Sequence, residues 1–158
     1  MDPLQLATTP LRLVAVGAVL LCTLGVGTVA HEYAHALALR AIGVDCEIRW
    51  LTDRESAGLL RASLLGSWAS VRPRNVPADA PAWGLRAAAL MPLALLAPFA
   101  LVVFGVLPDP LATGDPRVVA AAVAWAACAL PSPQDFSVVW YAERAMERAV
   151  TDDAVADL

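Results

Sequence analysis

The sequence predicts an all-α membrane protein: a three-helix transmembrane core, with short β-strands forming a hairpin between helices one and two. Three observations predict it. Residues 13–30, 87–107 and 118–134 carry no charge and are mostly apolar, and about 20 apolar residues span a bilayer core. The whole chain is 59% hydrophobic and 16% charged, with mean hydropathy +0.62, which leaves too little polar surface to cover a soluble domain in water. The polar segment between the first two runs switches to a period of two, the signature of a strand. At 158 residues the chain has room for one domain, read as extending over 1–158.

The elements follow in order. The opening "MDPLQLATTP" lacks the basic start of a signal peptide, and no small-residue cleavage site precedes His31. The first run is therefore expected to be retained, as a span over about 11–40. The polar region 43–82 comes next. Its "CEIRWL" alternates polar and apolar residues, "SWASVR" does so less regularly, and "RPRNVPADAP" is a loop by composition. The second span, about 84–107, contains Pro92 and Pro98. Both would break a helix in water, but membrane helices tolerate them because neighbouring groups re-satisfy the freed backbone. The third run is short alone, and "DFSVVWYA" extends it to a span over about 117–148. Pro131 and Pro133 interrupt it just before Asp135. A break there either re-aims Asp135 or ends one helix and begins another. The tail from 143 to 158 reads as a helix running into an acidic end.

Net charge is −4 without a basic cluster, which removes the electrostatic footprint of nucleic-acid binding. All 11 basic residues are arginine. Arg40, Arg49, Arg54, Arg61, Arg72, Arg74 and Arg86 lie around the long loop, Arg144 and Arg148 in the tail, and Arg12 and Arg117 on the other side. The positive-inside rule then puts that loop and the C-terminus in the cytoplasm and the N-terminus outside, for an integral protein of the cell membrane. Cys22, Cys46 and Cys128 are odd in number and form no CxxC pair. Cys22 and Cys128 sit in apolar runs as small hydrophobes.

One stretch departs from this pattern. "GTVAHEYAHALALR" sets His31, Glu32 and His35 inside a membrane run, and these are the chain's only histidines. Residues four apart share a helix face, so both imidazoles can address one metal ion. This is the HExxH spacing, two metal ligands and a general base. Zinc suits imidazole and, when bound, lowers the pKa of a water to about 7. Glu32 lies beside that face, placed to take the water's proton and pass it to a leaving amine. The plain alternative is a polar patch bonding neighbouring helices, which has no need of this spacing. Ionisable groups at membrane depth are costly and tend to be functional.

A zinc site needs a third protein ligand, and with no further histidine it must be a carboxylate or a cysteine. Asp135 leads by position. It lies 135 − 118 = 17 residues into the third run, and His31 lies 31 − 13 = 18 into the first. The two spans run in the same direction, so at about 1.5 Å per residue both reach nearly the same depth. Asp135, after Pro-Ser-Pro, also reads as the N-cap of the helix "FSVVWYAERAM". Cys128, about two turns shallower, is the runner-up ligand.

These residues resemble a known family. "HEYAHALALR" on a membrane helix, a later acidic residue on another, and three spans look like the core of the site-2 protease family of intramembrane zinc metalloproteases. The resemblance covers roughly residues 13–145. It implies that His31, His35 and Asp135 ligate one zinc ion per chain and that Glu32 is catalytic. It also implies short strands between the first two core helices. The family usually has Asp-Gly with an upstream Asn and Pro, whereas Asp135 is followed by Phe136, and Pro131 and Pro133 are what remains of that pattern. The implied function is a zinc endopeptidase that cuts a membrane protein or peptide substrate in the bilayer. A zinc-binding membrane adaptor of the same fold, without catalysis, belongs to a different class. A helical membrane protein with a chance motif is a third.

Overall fold

The computed structural model describes residues 3–50, 69–74 and 81–156, and side chains over 9–48, 71 and 81–144. The element order is α1 (Pro3–Ala41), β1 (Asp45–Trp50), β2 (Ala69–Arg74), α2 (Ala82–Leu90), a 3-10 helix (Met91–Leu96), α3 (Ala97–Val103), α4 (Pro116–Ala129) and α5 (Pro133–Ala156). The protein is thus mostly helical. Two helical stretches are long and apolar enough to cross a membrane: Thr9–Ala41, of mean hydropathy 2.3, and Ala82–Val103, of 2.0. Only 6% and 17% of their apolar windows are buried, so most of that apolar surface faces outward.

The expected third span, 117–148, is not one helix. α4 ends at Ala129, and Leu130 is extended at φ −74, ψ 135. Leu130 precedes Pro131, whose ring disfavours the helical region for the residue before it. α5 then starts at Pro133, where a missing N–H costs nothing. The proline pair therefore ends one helix and begins another. Among the described residues, neither helix passes as a span on its own.

The chain divides into two compact units: Met1–Gly27 with Leu93–Leu130, and Thr28–Pro92 with Pro131–Leu158. In the first, small residues let helices approach closely. A Cβ placed on Gly27 would lie 2.6 Å from Cys128 Sγ and 2.8 Å from its Cβ. Ala120, Ala124 and Ala129 of α4 are buried, and the Trp125 indole N–H donates to the Leu95 carbonyl at 2.8 Å. Asp115 caps α4 by accepting from Arg117 N at 2.9 Å. The side-chain hydrogen bond from Arg117 holds its carboxyl down to about 2.

The second unit carries the polar region. Gly43, at φ 78, closes α1. Its N–H bonds to the Arg40 carbonyl at 3.0 Å, and Val44 N–H bonds to that of Leu39 at 3.0 Å. This is a Schellman ending, with Val44 and Leu39 supplying its hydrophobic contact. The chain then enters β1 at once. β1 pairs antiparallel with β2, from Asp45 opposite Arg74 to Trp50 opposite Ala69. Residues 46–50 of the first expected strand segment and 69–72 of the second are thus extended, as are 73 and 74 of the expected loop. Leu51, Arg54, Arg61, Trp68 and loop residues 75–80 lie outside the described residues. Leu39, Val44, Leu85, Ala88 and Ala142 form the core, with Ile42, Cys46, Val71 and Val138 packed on it. The end of α1, the sheet, α2 and α5 therefore share one apolar centre.

Candidate metal centre

Helical spacing puts His31 and His35 on the same side of α1, their ring centroids 4.8 Å apart. The two Nε2 atoms are 3.1 Å apart. From α5, Asp135 brings Oδ1 to 3.1 Å from His35 Nε2 and Oδ2 to 3.6 Å from His31 Nε2. One ligand atom from each residue lies within 4.8 Å of the others. His35 is buried, and His31 and Asp135 are partly buried.

The tautomer of His35 follows from its other nitrogen. Nδ1 lies 2.8 Å from the Ala88 carbonyl of α2. A carbonyl accepts and never donates, so Nδ1 carries the hydrogen. In the neutral ring Nε2 is then a lone pair, aimed at a carboxylate and a second imidazole. Such electron-rich atoms repel at this range unless a proton or a metal cation lies among them. Zinc bonds nitrogen and oxygen at about 2.0–2.2 Å, so neighbouring ligands of a tetrahedral site stand about 3.3 Å apart. The imidazole nitrogens stand 3.1 Å apart, and each lies 3.1–3.6 Å from a different oxygen of Asp135. Two imidazoles and one carboxylate also match an open site, with a fourth position left for water. The group could hold a metal ion, and two imidazoles with a carboxylate are a donor set that zinc accepts.

Asp135 has a second task. Its Oδ2 accepts from Ser132 N at 2.6 Å, and its own N–H donates to Ser132 Oγ at 3.2 Å. This is a reciprocal capping box. The alternative reading of Asp135, as the N-cap of a helix starting at Phe136, is off by three residues. The helix starts earlier, at Pro133, and Ser132 is the cap. Asp135 reaches back from the third helical position, so capping and facing the histidines are compatible. The spacing "SPQD" carried that signal.

Glu32 is partly buried beside the group. Its carboxylate accepts a hydrogen bond from the Val71 N–H of β2 and lies within electrostatic range of His31, His35 and Asp135. Cys128 is not a member of the metal-competent group. Its Sγ instead points to the Leu24 carbonyl at 3.6 Å. The residues that the sequence reading missed act through their backbones: the Ala88 carbonyl and the Val71 N–H. No protein-family model, curated protein or solved structure matches the chain.

Proposed function

We propose that this protein is a membrane-embedded zinc endopeptidase. One observation carries the reading: two imidazoles on a helix otherwise suited to lipid meet a carboxylate from α5 in a group that could hold a metal ion. His31, His35 and Asp135 would hold one zinc ion. Bound there, zinc would act as a Lewis acid, making a water more acidic and polarising a peptide carbonyl. The chain's own residues do the rest. Glu32 takes the proton as the water oxygen attacks the carbonyl carbon, then gives it to the amine as the C–N bond breaks. The Val71 N–H keeps the Glu32 carboxylate turned toward β2. An extended substrate segment pairs along this strand region, so its backbone passes the site.

The substrate class is a membrane protein or peptide, unwound locally to expose its peptide bond. The apolar helices sit in the cell membrane, with the arginine-rich loop and the C-terminus in the cytoplasm and the N-terminus outside.

The test uses one preparation each of wild type and Glu32→Gln, reconstituted with zinc and a transmembrane peptide. The amide keeps the shape but cannot take a proton at neutral pH. Zinc should stay near one per chain in both, while cleavage falls about 10²–10⁴-fold, the usual size of a general-base contribution. Equal cleavage by the two proteins refutes the mechanism. Zinc bound without cleavage by the wild type would make the chain a zinc-binding adaptor.

A further inference from the structure

We infer that Pro92 is a positioning residue of the metal centre: by withholding a backbone N–H, it keeps the Ala88 carbonyl available to His35. The inference rests on the zinc reading above and deepens it.

Position 92 is four residues after Ala88. In a continuous α-helix its N–H would bond to the Ala88 carbonyl. Proline has no N–H, and its ring also presses that carbonyl aside. The local winding agrees. α2 stops at Leu90, and Met91–Leu96 follow as a 3-10 helix, the tighter form that often marks a strained or functional turn. The Ala88 carbonyl accepts the Met91 N–H, three residues on, and the His35 Nδ1–H at 2.8 Å. Its two lone pairs are then filled. An N–H at position 92 would compete for the one His35 uses.

Burial makes the competition matter. Pro92 is less than 2% exposed, Ala88 is 3% exposed and His35 8%, so water is poorly placed to replace a lost partner. With Nδ1–H anchored, the ring is held with Nε2 toward His31 and Asp135. Metal-ligating histidines depend on such a partner for tautomer and orientation. A proline inside a helix is ordinarily a cost to stability. A purely structural reading therefore gives no reason for its removal to harm metal binding while sparing the fold.

The experiment compares wild type with Pro92→Ala, Pro92→Val and Pro98→Ala, all purified in detergent. Zinc affinity is measured by chelator competition. Thermal unfolding is followed without metal, and the His35 tautomer is read from its ¹⁵N shifts. Pro92→Val retains the buried volume in case alanine leaves a damaging gap. We expect both Pro92 variants to bind zinc about 10–100-fold more weakly, the usual effect of losing an orienting partner. Their metal-free melting temperature should be equal or higher, and their His35 Nδ1–H signal should shift. Pro98→Ala, at the start of α3, should bind zinc as the wild type does. Wild-type affinity in the folded Pro92 variants overturns the inference and leaves the zinc reading intact. So does an equal loss in Pro98→Ala, or failure of both Pro92 variants to fold. A wild type that binds no zinc at all sinks the zinc reading, and the inference with it.

Discussion

Asp135 serves a helix and the candidate metal centre with one carboxylate. Oδ2 accepts from Ser132 N while Oδ1 faces His35. The two tasks separate by substitution. Asparagine keeps an oxygen for Ser132 N but loses the negative charge a cation needs. Asp135→Asn should retain most of the thermal stability and lose most of the zinc. Asp135→Ala should lose both, with a capping cost of about 1 kcal/mol. Asp109→Ala removes only a turn contact to Leu111 N and should leave zinc content at the wild-type level. The readouts are metal content by mass spectrometry and thermal unfolding. Full zinc in Asp135→Asn would reduce Asp135 to a capping residue.

At the level of elements, helix contact rests on small residues and on backbone groups freed at kinks. Gly27 and Cys128 meet so closely that no Cβ fits at position 27 without a shift. Gly27→Ala should lower stability by about 1–3 kcal/mol, as overpacking does. Adding Cys128→Gly removes both atoms in the way and should recover part of that loss in a melting experiment. No recovery would mean that alanine acts on α1 alone. The kink in α5 is supported differently. Tyr141 leaves the helical region at φ −124, ψ 29. Near it the Arg86 Nε–H donates to the Val139 carbonyl at 3.0 Å, and the guanidinium pairs with Glu143. α2 thus holds α5 by a group that the kink leaves available.

For the whole molecule, the surface is the argument for a bilayer. Leu11, Leu13 and Val14 are about two-thirds or more exposed, as are Leu21, Val103 and Phe104. In water that much apolar exposure invites aggregation, and in lipid it costs nothing. The arginine distribution predicts the orientation, and labelling checks it. With Cys22, Cys46 and Cys128 replaced by alanine, Thr113→Cys should react with a membrane-impermeant thiol reagent on intact cells. Asp152→Cys should react only after permeabilisation. The opposite pattern inverts the topology.

Sequence by itself determined what depends on local period. The apolar runs give the two long helices, alternation gives the two strands, and a spacing of four puts both histidines on one face of α1. These follow from 3.6 residues per turn and from a pleat of two, whatever the rest of the chain does. Asp135 could be nominated by depth, but depth does not aim a carboxylate. Tertiary structure alone decided that it meets His35 at 3.1 Å, a hundred residues away. It also decided that Pro131 and Pro133 end one helix and start another, when the same prolines could have kinked a single span. Backbone partners were the least legible part. The Ala88 carbonyl that orients His35 and the Val71 N–H that meets Glu32 carry no side-chain identity, because every non-proline residue offers the same donor and acceptor. Which of them reaches the site is set by the path of the chain, and a one-dimensional pattern does not contain that path.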